Sequence, residues 1–179
     1  MKSVDEIYDM YYDPDSGLYT LLRTHSELVA AKALACADRH CLDVDCEFIE
    51  QAAMLHDIGI FRTNAPGILC HGDEPYIRHG IIGRELLDAL GMPRHALVCE
   101  RHTGSGLTVG DIVSQNLPLP HRDMCPVTTE EQLICYADKF YSKSGDFYHE
   151  KSLDRVLRSL EKHGADTLSR FMDMHNRFG

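Results

Sequence analysis

The chain is poor in basic charge: 18 lysines and arginines stand against 28 acids, giving a formal net charge of −10. Proteins that hold long nucleic acid neutralise its phosphates with a basic excess, so no such partner is expected. A small phosphate ester stays open, because bound metal cations can supply local positive charge in an acidic protein. No apolar run approaches the roughly 18 residues that cross a bilayer. The opening Met-Lys-Ser-Val-Asp-Glu carries two acids and no apolar stretch, which is unlike a signal peptide. The expectation is therefore no membrane partner and a cytoplasmic location. Among the seven cysteines there is no Cys-x-x-Cys pair, and the spacing of Cys36, Cys41 and Cys46 matches no zinc-ligand pattern. Most should be small buried hydrophobes in a reducing compartment. Internal repeats, low-complexity segments and long runs of alternating β-branched residues are also missing.

What is present is helix signal. A hydrophobic fraction of 44% in 179 residues fills one core and suits one domain. Asp13-Pro14-Asp15-Ser16 is a turn and cap cluster ahead of a helix reaching about His40. Asp43 or Asp45 caps a second helix, which runs to the pair His56-Asp57. Residues 61–75, with Asn64, Pro66, Gly67, Gly72 and Pro75, read as a loop. A helix from about Tyr76 to Leu90 stops at Gly91, and Pro93 opens the next. Thr108 with Asp111 and Thr128 with Glu131 resemble capping boxes, and the proline-bearing stretch between them cannot be regular helix. The tail from about Glu150 to Arg177 reads as one long helix or two shorter ones. The expected fold is an all-α, single-domain bundle of about seven helices, with its core at about 16–145 and a helical extension at about 150–177. Leu153, Leu157, Leu160, Phe171 and Met172 of that extension could pack at home, the favoured arrangement, or against a second copy in a homodimer.

The sharpest chemical signal is His56-Asp57, followed by Ile58-Gly59. Ile49, Ala52, Ala53 and His56 follow helical spacing, and Asp57 stands four beyond Ala53, so an imidazole and a carboxylate end the inward face of an apolar helix. A carboxylate there is costly unless paired or bound to a metal. Other candidate ligands lie on other inward faces. His25 stands four after Leu21, and Asp138 stands four after Ile134. His79 precedes Ile82 and Leu86, and His102 follows Val98 and Cys99. Helical bundles build metal sites from side chains on facing helices in this way. Periodicity alone does not separate a ligand from a packed imidazole: His40 and His175 fall on apolar stripes by the same arithmetic.

In this order His25, then His56-Asp57, then Asp138, together with Leu55-His-Asp-Ile-Gly59, Arg78-His-Gly-Ile-Ile-Gly83 and Ala137-Asp138-Lys139, resembles the HD-domain superfamily of metal-dependent phosphohydrolases. The likeness runs from about His25 to Lys139. Glu100-Arg-His-Thr-Gly-Ser-Gly-Leu107 narrows it to a bacterial and archaeal subfamily whose motifs carry no substrate signature. The Gly-Tyr-Pro motif of the cyclic-di-nucleotide branch is absent. The resemblance implies that His25, His56, Asp57 and Asp138 bind one divalent metal, and that His79 and His102 complete a second site with Asp57 shared. Mixed nitrogen and carboxylate ligands suit iron, manganese, zinc, cobalt or nickel. The implied reaction is hydrolysis of a phosphate ester or anhydride by metal-activated water, with a nucleotide or related small phosphorylated metabolite as substrate. Lys139 is the first candidate for stabilising developing charge, and Asp57 for catalysis alongside it. Arg62, Arg78 and Arg101 are either phosphate contacts or solvated charges. His71 is either a general acid or a surface loop residue, with the latter favoured. Segment 103–127 is a candidate rim over the site. Two alternatives share the ligand set: a di-iron oxygenase, and a metal-bearing nucleotide-binding module without turnover.

Overall fold

The computed structural model describes residues 2–179. Among these, nine α-helices account for nearly all regular structure: α1 Val4–Tyr11, α2 Gly17–Arg39, α3 Cys46–Leu55, α4 His79–Ala89, α5 Pro93–Arg101, α6 Val109–Ser114, α7 Thr129–Asp138, α8 Leu153–Glu161 and α9 Ala165–Phe178. The all-α architecture matches the sequence reading, but the helix count exceeds seven for two local reasons. Helix α1 is additional to the helices expected from sequence, although Ser3 and Glu6 form a reciprocal capping box at its start, a device that satisfies two orphan backbone donors. The tail is two helices because Gly164, at φ +107, holds a backbone conformation that ends one helix before the next begins.

The expected caps are visible. Ser16 and Asp45 accept from the backbone at the starts of α2 and α3. Thr108 and Asp111 form a full capping box on α6. Thr128 caps α7, whereas Glu131 turns its carboxylate to Arg101 and to the Val127 amide. The loop at 61–75 contains a hairpin of two-residue strands, β1 Asn64–Ala65 and β2 Cys70–His71, paired antiparallel with Asn64 opposite His71. Strands this short leave no alternating pattern to read.

Two apolar clusters share α3. One joins α2, α3 and α7 to the tail through Val29, Ile49, Ile134, Phe171 and Phe178, so the tail packs at home, with Leu153, Leu157 and Met172 partly buried against it. The other joins α1, α4 and α5 to the opposite face through Ile7, Leu55, Ile82 and Leu87. A small third cluster, Ile81, Ile112, Leu119 and Met124, anchors segment 103–127. Four of the seven cysteines are buried, while Cys41 and Cys46 are exposed. No helix among the described residues is long and apolar enough to cross a membrane.

Candidate metal centre

The six predicted ligands meet where α2, α3, α4, α5 and α7 converge. His25, Ser26, His56 and Asp57 are fully buried, and His79, His102 and Asp138 nearly so. Three ligand positions close a helix: His56 caps the C-terminus of α3, His102 that of α5, and Asp138 is the last residue of α7. Helix C-termini carry partial negative charge and favour cations. Asp57 and Asp138 add two carboxylates at the same point. A cation is what this arrangement of dipoles and charges lacks most.

The side chains fall into two overlapping groups. His25, His56, Asp57 and Asp138 offer ligand atoms that all lie within 4.8 Å of one another, and so do Asp57, His79 and His102. The carboxylate of Asp57 belongs to both. Its Oδ2 lies 3.4 Å from His25 Nε2 and 3.1 Å from His56 Nε2, while Oδ1 lies 3.4 Å from His79 Nε2 and 3.3 Å from His102 Nε2. Asp138 Oδ1 closes the first group at 3.0 Å from His25 Nε2.

Hydrogen bonding decides which ring nitrogens are available. Backbone carbonyls accept from Nδ1 of three rings: Ala53 from His56 at 2.5 Å, Tyr76 from His79 at 2.7 Å, and Cys99 from His102 at 2.8 Å. A proton held on Nδ1 leaves Nε2 as a lone pair. The Nε2 atoms of His79 and His102 nevertheless face each other at 3.1 Å, and two lone pairs at that distance repel unless a cation lies between them. His56 Nε2 and Asp57 Oδ1 are buried without a hydrogen-bond partner, a costly condition for groups of this polarity. The donor set fits one or two divalent transition ions.

Within the chain, lysines partly meet this demand. Lys139, the C-cap of α7, donates to Asp138 Oδ2 at 2.5 Å and to the His102 carbonyl at 3.2 Å. Lys143, which sequence reasoning missed, places its ammonium 2.6 Å from Asp57 Oδ2 and 3.8 Å from Asp138 Oδ1. Burial alone would raise the pKa values of Asp57 and Asp138. The opposing charges of Lys143 with His56, and of Lys139 with Lys143, hold both well below the usual carboxylate range. Burial likewise opposes charge on His56, but Asp57 and Asp138 raise its pKa to about 9. His79 falls to about 3, chiefly through burial.

These shifts give the metal-free protein two pH edges. The folded pKa of His56 lies above its ordinary 6.5, so its stabilising contribution is complete below about pH 6.5 and lost as the pH rises to about 9. For His79 the unfolded chain binds a proton between pH 6.5 and about 3 that the folded chain refuses, so stability falls as the pH drops through that window. The depressed carboxylates steepen the acid edge. Denaturant midpoints of metal-free protein should therefore be highest near pH 6.5 and lower at both pH 5 and pH 9; a monotonic trend across the three would contradict this picture.

Backbone carbonyls and glycines place the ligands. Tyr8 of α1 and Tyr12, its C-cap, donate to the carbonyls of Met54 and Ile58, at 2.7 and 2.8 Å, on either side of the candidate ligand pair. Gly59 lets α4 press directly on that turn: a Cβ there would meet the His79 carbonyl oxygen at 2.4 Å and the Gly83 nitrogen at 2.5 Å.

The remaining candidates lie elsewhere. His71 is exposed on β2. Arg62 is exposed, with its guanidinium 5.6 Å from the Phe61 ring centroid. Arg78 pairs with Glu74 at 2.8 Å and donates to the Pro118 carbonyl, and Arg101 pairs with buried Glu131 at 3.0 Å. Among the described residues none of these four has a hydrogen bond or ion pair to the cluster. Segment 103–127 is tied to the body by that Arg78 bond, by Arg122 to buried Glu100 and by Arg170 to Asp111.

The family model described as HD domain matches residues 22–142, which contain all six candidate ligands. The protein MJ0778 of Methanocaldococcus jannaschii is 35% identical over 121 residues, covering 67% of this chain and 62% of its own length. A tRNA (cytidine(56)-2'-O)-methyltransferase of Picrophilus torridus is 33% identical over 80% of this chain, and its counterpart in Thermoplasma volcanium 29% identical over 82%. The chain spans only 40% and 39% of those two proteins. Among solved structures, the HD domain of the L. monocytogenes phosphodiesterase PgpH superposes with a TM-score of 0.52 at 16% identity, covering 96% of this chain and 94% of that one. Its complex with cyclic-di-AMP gives a TM-score of 0.53. At that identity the likeness is one of fold. With the family model spanning most of its length, the chain belongs to the HD domain family.

Proposed function

We propose that this protein hydrolyses a phosphate ester or anhydride of a small metabolite, most naturally a nucleotide, with two divalent metal ions held by the cluster. The observation that carries this reading is the division of Asp57. One carboxylate oxygen faces His25 and His56, and the other faces His79 and His102. A carboxylate so placed can bridge two ions. Metal ions held there by these residues would supply an activated water nucleophile and charge neutralisation for phosphoryl oxygens.

The chain's own residues then have separable roles. His56, His79 and His102 keep Nδ1 on backbone carbonyls, which fixes ring orientation and presents Nε2 inward. Asp138 completes the set with His25 and is itself steadied by Lys139. The Lys139 side chain, 12% exposed, sits where its ammonium can also meet negative charge developing on a phosphoryl group. The converging helices exclude bulk water, which strengthens each of these interactions. His71, Arg62, Arg78 and Arg101 gain no support as catalytic or phosphate-binding groups from their placement.

The test combines metal analysis with an anaerobic screen of nucleotides and generic phosphate esters in manganese, so that oxygen-dependent chemistry cannot contribute. About two metal equivalents and turnover of a phosphate ester are expected. His79→Ala should reduce the content to about one equivalent, since His25, His56, Asp57 and Asp138 persist. Unchanged content in this variant would remove the second site, and absence of turnover across the screen would remove the hydrolytic reading.

A further inference from the structure

The loop after α7 brings a second cationic group close to the cluster. Residues Tyr76, Tyr141, Ser142, Lys143, Ser144 and Lys151 wall most of a cavity of about 400 Å³. A smaller cavity of about 160 Å³ shares Tyr141, Lys143 and Lys151 and also reaches Asp138 and Lys139. Lys143 and Lys151 therefore stand between open space and the metal centre, and one cavity touches Asp138 and Lys151 together.

The lysines differ in how their charge is used. Lys139 is paired with Asp138, and Lys143 with Asp57. The Lys151 ammonium has no hydrogen bond or ion pair among the described residues. The cavity it lines also holds Asp138, Lys139 and Lys143, and Arg155 adds to the positive charge that acts on it. Burial, with those bases, depresses its pKa to about 8. A partly buried cation among other cations is unfavourable unless an anion joins it.

We propose that Lys151, with Lys143, forms a subsite for a second anionic group, so that the substrate carries two or more phosphoryl groups rather than one. This rests on the hydrolytic reading for the position of the reacting phosphoryl group at Asp57 and Asp138. The second group occupies the cavity walled by Tyr76 and Tyr141, where Lys151 supplies its counter-charge. A monoester leaves Lys151 without an anion. Sugar and nucleoside portions are not distinguished by this subsite; the shared diphosphate chemistry is what it reads.

The experiment compares binding of orthophosphate and methylenediphosphonate, which cannot be hydrolysed, to metal-loaded protein by calorimetry. Wild-type protein should prefer the diphosphonate, and Lys151→Gln should reduce that preference about tenfold, the worth of one charge-assisted contact. Lys151→Arg should keep most of it, which separates lost charge from lost folding. Because both ligands also meet the metals, the change between variants is the informative quantity. An equal preference in wild type and Lys151→Gln would overturn the subsite. If that preference depends on Lys151 while no phosphate ester is turned over, the subsite stands and the hydrolytic reading fails. Turnover of a phosphate ester with a preference independent of Lys151 would leave hydrolysis standing and overturn the subsite.

Discussion

Replacing Asp57 with alanine is expected to abolish binding of at least one metal ion and to lower phosphate ester hydrolysis by about 10³-fold or more, on the order of 4 kcal/mol of transition-state stabilisation. The size follows from position. Asp57 is the one ligand common to both groups, with each oxygen within 3.4 Å of two imidazole nitrogens, so its loss weakens both sites together. The variant also leaves the Lys143 ammonium without its nearest partner, and an uncompensated buried charge is strongly destabilising. Asp57→Asn separates these effects, because it preserves shape while removing the charge that bridges. Elemental analysis and steady-state kinetics on both variants provide the check. Metal content and activity at wild-type levels in Asp57→Ala would falsify the centre as described.

The second large effect is expected at Gly59, which touches no ligand atom. Its backbone is ordinary, with φ −85 and ψ −4, so conformational freedom is not the reason for glycine here. Close approach is. A methyl group would lie 2.4 Å from the His79 carbonyl oxygen and 2.5 Å from the Gly83 nitrogen, and both obstacles are backbone that cannot rotate away. Gly80 faces the same limit, because a methyl group there would lie 2.4 Å from the Cys99 carbonyl oxygen. Gly59→Ala should therefore force α4 away from the His56-Asp57 turn, at a cost of about 3 kcal/mol. In a protein of this size that corresponds to a fall in Tm of roughly 10 °C. Because α4 begins with His79, the displacement should also weaken the second metal position before the first. Thermal unfolding of metal-free protein measures the packing cost alone, and metal titration measures the rest. A Tm within about 2 °C of wild type would mean that α4 can shift at little cost.

The glycine of Leu55-His-Asp-Ile-Gly59 shows how a motif can be read correctly for the wrong reason. In a sequence, a glycine just past an apolar helix is a convenient helix end. In three dimensions it is the contact point between the ligand turn and the helix that carries His79. Similarly, Thr128 and Glu131 resemble a capping box, yet Glu131 is drawn to Arg101. The carboxylate serves the buried ion pair and the Val127 amide at once, so the reciprocal bond to the Thr128 amide is the part of the box left unmade.

Charged groups outside the motifs were the least legible. Arg78 and Arg101 adjoin ligands in sequence, but Glu74 and Glu131 hold them. Lys143 lies in Tyr141-Ser-Lys-Ser-Gly145, a polar stretch with every feature of a solvated loop, and it reaches the centre of the cluster. Tyr8 and Tyr12 bond carbonyls 46 residues away, a separation over which no periodicity carries information.

By itself the sequence determined the helical class, most helix limits, and the six candidate ligands that the structure brings together. These depend on properties carried within a few residues: capping side chains, prolines and glycines, and the repeat of apolar positions that turns His25, His56, Asp57, His79, His102 and Asp138 inward. Only the tertiary structure decided that Asp57 is shared between two groups, that Lys143 and Lys151 stand beside them, and that the arginines do not. Those outcomes depend on distances between residues far apart in the chain. A long flexible cation is compatible with solvent or with a buried carboxylate, and only the packing of the surrounding helices selects between them.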